Sequence, residues 1–331
     1  MLQQINRQLE KCMPAITPIS VIIGVILTDS FKSYSYLVPW IFAFMTFAGS
    51  LSSNFKSLRQ VISHPLPMLT ALLILHVIMP AWAWGIGHLI FSKDMFTVTG
   101  LILAVMIPTG ITSFIWISIY KGNIALALSL ILIDTFLSPF IVPYSLSLFV
   151  GEKIVMDVFG MMKGLFGMVV IPSILGMFLN ELTAGKVKET LGTKLAPVSK
   201  VGLAAVVMIN SSIIAPHLSH IDGKLILIAV VVFGIASSGY LFSWLISSLF
   251  KWGRDDTVTL VFTGGMRNIS AGAVLAVSYF PAPVAVPVVI GMLFQQVLAS
   301  LYGYMLHKVY AKKDLKNSMV TEYIPKKQVQ Q

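Results

Sequence analysis

The sequence predicts an all-α polytopic membrane protein of ten transmembrane helices, and three observations carry that prediction. Of its 331 residues, 56% are hydrophobic and only 11% charged, against about 25% charged in an ordinary soluble domain. The mean hydropathy of +0.87 means more apolar surface than a soluble core could hide. The apolar residues also gather into runs near the ~20 residues of helix needed to cross the hydrocarbon layer. They lack the polar–apolar alternation of barrel strands.

Ten runs follow one another, at roughly 13–28, 35–53, 68–90, 97–119, 123–149, 159–181, 198–215, 223–250, 257–280 and 284–308. The first follows a short polar head without a small-residue cleavage site and reads as a retained span. The third carries His76 in "LLILHVIMPAW" and ends on the aromatics of "WAWGIG", which suit the interfacial belt. The fourth contains "MIPTGITSF" (106–114), where Pro108 removes a backbone donor. The fifth holds Asp134 in "LSLILIDTFLSP". The charged "NELTAGKVKETLGTKLAPVSK" joins the sixth to the seventh. The ninth contains "FTGGMRNIS" (262–270) and the tenth "MLFQQVLAS", with Gln295 and Gln296 at membrane depth. The tail, 311–331, is polar and reads as a disordered cytoplasmic segment.

The net charge of +10 could suggest nucleic acid, but its placement argues for a membrane. With the N-terminus inside, the cytoplasmic segments hold seventeen basic residues, among them Lys56, Arg59, Lys326 and Lys327. The opposite side holds five, Lys32, Lys93, Lys153, Lys163 and Lys224, and Arg267 is left over. That is the positive-inside asymmetry. It predicts a multi-pass cell (inner) membrane protein with both termini cytoplasmic. The single Cys12 rules out a disulfide framework. His217 and His220 in "HLSH" lack a third ligand nearby and read as a span end rather than a metal site. Phosphate-loop, dinucleotide-binding and serine-hydrolase motifs are missing. An integral-membrane enzyme would need more than one deep acid, so no enzymatic activity and no cofactor are expected.

The spans divide into halves of five, and the fourth and ninth carry matching glycine- and hydroxyl-rich irregularities. Five spans per half give the halves opposite orientations, which describes inverted repeats whose broken helices meet at a midplane site. Close helix packing on glycine is the plainer alternative. Deep in the spans lie His76, Asp134 and Arg267. An arginine at a helix centre costs about 2.5–3.5 kcal/mol on the insertion scale. Arg267 therefore needs a partner, and Asp134 is predicted to pair with it, directly or through one water. That pair reads either as a fixed packing bridge or as part of a transport pathway. His76 is either a neutral hydrogen-bonding residue or a proton carrier. Thr109, Thr112, Ser113, Thr263, Asn268, Ser270, Gln295 and Gln296 supply polar groups for a cavity around the breaks.

Three long stretches carry a family resemblance: "FMTFAGSLSSNFKSLRQVISHPLPMLTALLILHVIMP" (44–80), "PTGITSFIWISIYKGNIALALSLILIDTFLSPFIVP" (108–143) and "TGGMRNISAGAVLAVSYFPAPVAVPVVIGMLFQQVLASLYG" (263–303). The chain resembles the bile acid:sodium symporter family. The resemblance implies a sodium/proton antiporter-like fold with broken crossing helices 4 and 9. It implies panel helices 1–2 over 13–66 after a cytoplasmic 1–12, and core helices 3–5 over 67–150. Panel helices 6–7 would then cover 151–220 and core helices 8–10 would cover 221–310. Core moving against panel would give alternating access, with a small organic anion (a bile-acid or pantoate-like carboxylate) as substrate and sodium as the usual driver.

The departures from the family pattern are specific. Where members read E-x-G-M-Q-N, this chain has Thr263 and Arg267 at the sodium-binding positions. His76 replaces a glutamine ligand, Ser113–Phe114 a Ser–Asn pair, and Ala127 and Ile131 two hydroxyl ligands. Sodium, like other hard cations, needs oxygen donors, and a guanidinium repels it. The resemblance with these departures implies a sodium-independent carrier: a uniporter, an exchanger, or a proton-coupled device using Asp134 or His76. It implies ion-site or coupling roles for His76, Ser113, Asp134, Thr263 and Arg267, and substrate contacts for Thr112, Asn268, Gln295 and Gln296. A cation exchanger and a non-transporting membrane sensor stay open as alternatives. The sequence leaves any oligomeric partner undefined.

Overall fold

A computed structural model describes residues 2–53, 55, 65–151, 154, 156–219 and 221–322. Lys56, Arg59, Lys153, His220, Lys326 and Lys327, used in the charge asymmetry and the histidine spacing, lie outside those residues. Among the described residues the structure is all helix, with one isolated antiparallel bridge between Thr109 and Arg267. In a hydrocarbon solvent every backbone group must be paired internally, which is why an apolar chain of this kind forms helices.

The main helices are α1 (Leu2–Ile26), α2 (Val38–Ser50), α3 (Pro65–Ile90), α4 (Met95–Met106), α5 (Ser113–Ile119) and α6 (Ile124–Val150). They continue as α7 (Val158–Leu182), α8 (Lys188–Ile213), α9 (Gly223–Leu249), α10 (Arg254–Gly265), α11 (Ile269–Tyr279) and α12 (Ala285–Glu322). Among the described residues six continuous helices are long and apolar enough to cross a membrane. A bent pair spanning 15–50, turned through 96°, makes a seventh. The predicted fourth and ninth runs are each split into two short helices, α4 with α5 and α10 with α11. Beyond the tenth run, α12 extends as helix to Glu322, so the first half of the tail is helical rather than disordered.

Helix starts are set by polar caps placed where the apolar runs begin. Asp94, Asn123, Asp157 and Asp222 each accept a backbone N–H of the following first turn, satisfying donors that the helix cannot. Besides the π turn that opens α8 at Lys188–Gly192, two helices contain an internal widened π turn, at Ile74–Ile78 in α3 and Phe166–Val170 in α7. Each is followed two residues later by a proline, Pro80 and Pro172, whose missing N–H already interrupts the ladder there.

Packing sorts the helices into two groups. α1 lies along α8, and α2 packs on α7 and α8. In the other group α3 packs on α4, α9 on α10, and α12 on α4, α9 and α11. α6 touches α7 from the first group and α4, α5 and α10 from the second.

Candidate functional site

The site grows from two interruptions in the helical backbone. Ile107 precedes Pro108 and is driven out of the helical region, to φ −59° and ψ 148°, so α4 stops at Met106. α10 ends on Gly264–Gly265, and Met266 is extended at φ −105° and ψ 126°. The two extended segments cross as an antiparallel pair, Thr109 opposite Arg267. Asn268 N–H donates to the Pro108 carbonyl at 2.8 Å, and Gly110 N–H to the Met266 carbonyl at 3.4 Å. Gly110 is required by this approach: a Cβ there would lie 2.7 Å from the Arg267 carbonyl oxygen.

In such a pair the flanking residues bond to each other, and the N–H groups of the opposed residues point outward. Each outward N–H is taken by a side chain from the long helix that follows its own break. Thr109 N–H donates to Asp134 Oδ2 at 2.6 Å, from α6. Arg267 N–H donates to Gln295 Oε1 at 3.1 Å, from α12. The Thr109 hydroxyl adds a bond to the Thr263 carbonyl at 3.2 Å.

Asp134 is fully buried, and its second oxygen, Oδ1, lies 2.8 Å from His76 Nε2. His76 reaches it from the π turn of α3. Asp134 was expected to pair with Arg267 directly or through one water, and the direct pairing is not formed. One carboxylate oxygen is held by Thr109 N–H and the other faces the imidazole. Arg267 stands across the bridge with no ion pair within 4 Å among the described residues. It is 4% exposed, and its Nη1 and Nη2 are buried without a hydrogen-bond partner.

Beside Arg267 lies a residue that the sequence reading missed. Tyr240 of α9 is fully buried and lines the same small apolar compartment as Arg267. Its ring stacks on Tyr302 at 4.7 Å, and a Cβ on Gly265 would collide with it. A hydroxylated aromatic midway along the apolar run "ASSGYLFSW" was the available signal.

A cavity of about 200 Å³ lies between the two helix groups. Thr112, Asn268, Gln295 and Gln296 line it together with Arg267, Thr109 and Ser270. The facing wall comes from α1, α2, α7 and α8, with Thr17, Thr46, Ser50, Ser173 and Leu203. The other candidates stand behind this surface. Ser113 is buried, its Oγ without a partner, and Thr263 is buried with its hydroxyl donating to Thr259 and Leu260 carbonyls of its own helix. Ala127 and Ile131 are buried apolar residues. Among the described residues no group of three or more His, Cys, Asp or Glu could hold a metal ion. Near the breaks the Thr263 hydroxyl and Asp134 Oδ2 are committed to protein partners, the Ser113 hydroxyl is not, and Arg267 places a full cation beside them.

The sequence pattern described as "Sodium Bile acid symporter family" matches residues 39–221, a stretch that includes the first break and stops before the second. The chain is 59% identical over 300 residues to "Uncharacterized protein YbaS" of Bacillus subtilis (strain 168), covering 91% of this chain and 98% of that protein. It is 26% identical over 300 residues to "Uncharacterized sodium-dependent transporter YocS" of the same organism, covering 88% and 90%. It is also 26% identical over 269 residues to "Probable sodium/metabolite cotransporter BASS1, chloroplastic" of Oryza sativa subsp. japonica, covering 81% and 64%.

Proposed function

The chain belongs to the sodium bile acid symporter family of transporters, and from its crossing we propose that it carries a small organic anion through the inner membrane without sodium. The observation that carries the reading is the buried, unpaired guanidinium of Arg267 at the cavity. In a low-dielectric site a fixed cation attracts an anion and repels a second cation far more strongly than it would in water. Seven relatives, YocS and the plant cotransporters, have names that mention sodium. In this chain the positions that bind sodium in the family offer instead a committed Thr263 hydroxyl, a His76 engaged with Asp134, the Arg267 guanidinium, the apolar Phe114, Ala127 and Ile131, and a single free hydroxyl at Ser113. Such a donor set does not suit a hard cation.

The same reading organises the fold. Counting α4 with α5 and α10 with α11 as single broken spans gives ten, in two halves of five. The two outward N–H groups, each clamped from the next helix of its own half, support inverted repeats. The group of α1, α2, α7 and α8 is the panel and the remainder the core, with the cavity at their boundary. With the N-terminus cytoplasmic, the wall residues Ser50 and Ser53 stand at the cytoplasmic end of α2, so the cavity faces inward. Rocking the core against the panel would move it to the other side. The gradient of the anion itself, a counter-anion or protons would drive the cycle. A cation exchanger would want a carboxylate on the cavity wall, and Asp134 is sealed behind Thr109.

The test is anion uptake into proteoliposomes with internal and external sodium replaced by potassium. Uptake is expected to persist at an unchanged rate in the wild type. Uptake that collapses without sodium would refute the proposal.

A further inference from the structure

A second cavity, of about 30 Å³, is built wholly from the group of α3, α4 and α9–α12. Its walls are glycines and apolar side chains such as Leu101, Val232 and Leu298, and among the described residues no acid lines it. Three polar side chains do line it, Tyr240, Arg267 and Gln295, and each has a donor to spare. Arg267 Nη1 and Nη2 are buried without a hydrogen-bond partner. The Tyr240 hydroxyl finds the Gln295 backbone carbonyl at 3.5 Å, beyond the usual range of an O–H bond. Its ring is fixed by the stack on Tyr302, whose own hydroxyl pairs with Ser237 at 2.8 Å. Gln295 Oε1 accepts the Arg267 N–H at 3.1 Å, which leaves over the NH₂ end of that amide. Arg267 and Gln295 also line the cavity of about 200 Å³, so they stand between two chambers.

We infer that the smaller chamber is a binding site for one halide ion, which serves as the resident counter-ion of Arg267. Such a site goes beyond the carrier reading: it lies inside one helix group, away from the boundary cavity that a carried anion enters. Charge decides the sign of the ligand. An unpaired cation in a dry site costs stability, and the deep carboxylate, Asp134, is held by Thr109 and faces His76. A water molecule accepts from a guanidinium but brings no charge, and a metal cation is repelled. Volume decides the size. About 30 Å³ is the share of one molecule in liquid water, so a monatomic anion fits and a carboxylate, sulfate or phosphate does not. A halide accepts hydrogen bonds from any direction, so it can use a guanidinium, a phenol and an amide that converge without a common plane.

The experiment uses the full chain purified in detergent, with thermal unfolding followed by tryptophan fluorescence in potassium chloride and in potassium methanesulfonate, whose anion is too large for the chamber. Equal ionic strength holds screening constant, so a difference between the two salts reports binding to the folded state. Chloride should raise the unfolding midpoint over methanesulfonate, and the rise should saturate. Tyr240→Phe keeps the stacked ring and removes one donor to a charged ligand, so the chloride concentration giving half the rise should increase about tenfold. Arg267→Gln should change sign with the salt. Without halide it removes an unpaired buried charge and should unfold above the wild type, and in saturating chloride it should unfold below it. Crystals grown in potassium bromide should show one anomalous peak beside the Tyr240 hydroxyl. A wild type that unfolds alike in both salts, or a chloride effect that Arg267→Gln leaves intact, would overturn the halide site. So would bromide found only in the larger cavity. Sodium-free anion uptake is read in a separate assay, so the halide site and the carrier reading fail independently.

Discussion

The break between α4 and α5 and the break between α10 and α11 face the same backbone problem and solve it with unlike side chains. Each leaves one N–H pointing away from the crossing. The first is held by a carboxylate, Asp134, whose other oxygen faces His76. The second is held by the neutral amide of Gln295, while the charge on that side, Arg267, is spent on no partner. A committed charge fixes shape. An uncommitted one is free to answer a ligand, at the cost of an unpaired cation in a dry site. The two breaks therefore divide the work: the first is built for rigidity, the second for binding.

The largest effect expected from this contrast is at Asp134. Asp134→Leu removes the acceptor of Thr109 N–H and leaves His76 facing apolar atoms. Breaking a buried pair from one side costs about 3–5 kcal/mol, so the variant should unfold well below the wild type when followed by tryptophan fluorescence in detergent. Asp134→Asn keeps an oxygen for Thr109 and should recover most of the loss. Equal stability of the Leu variant and the wild type would remove the claim that this side is the rigid one.

Gln295→Leu probes the other clamp and should cost less, about 1–3 kcal/mol for one buried N–H left unsatisfied. Substrate affinity should fall with it, since the same residue lines the cavity. Gln295→Glu restores the acceptor and should recover stability without recovering anion affinity. If the two clamps cost the same by the same unfolding assay, the comparison loses its asymmetry.

Arg267→Gln should change stability in the opposite direction. The backbone N–H that meets Gln295 is retained, and an unpaired buried charge is removed, so the folded state should gain about 1 kcal/mol. Anion uptake should fall at least tenfold at the same time. A destabilised Arg267→Gln with normal uptake would show that the guanidinium has a structural partner after all.

Much of this arrangement was legible in the sequence, because it depends on features that lie close together along the chain. Pro108 and Gly264–Gly265 mark the interruptions, and the polar residues that follow them, Thr112 and Asn268, reach the cavity because they sit where the helices restart. The partner of Asp134 was not legible. Matching opposite charges pointed to Arg267, but a broken helix also supplies backbone donors, and Thr109 N–H competes for the same carboxylate. His76 reaches Asp134 from a π turn, which shifts its register by a residue, and that shift is a tertiary outcome. Tyr240 was hidden for a related reason: hydropathy averages away one hydroxyl in a long apolar helix. The count of continuous spans fell short of ten because length and hydropathy cannot show where a single apolar run folds as two short helices.

The smallest effect belongs to a pair outside the crossing, and it measures how much the buried setting matters. Lys224 Nζ lies 2.7 Å from Asp94 Oδ2 at the start of α4, with the lysine side chain 59% exposed. Partial burial pushes the Asp94 carboxyl up, but the bonds from Lys224 and Thr97 outweigh it and hold it below the usual carboxylate range. A depressed carboxyl stabilises the fold above its unfolded pKa, near 3.9, and that contribution disappears as pH falls through the lower folded value. Lys224→Ala should therefore cost only about 0.2–1 kcal/mol. The cost should shrink in high salt, where exposed charges are screened, and vanish as pH falls through the lowered folded value of Asp94. The cost of Asp134→Leu should stay the same across that salt range, because solvent ions do not reach a carboxylate sealed behind Thr109. If both substitutions respond to salt alike, Asp134 is in contact with water and the first break is not the rigid one.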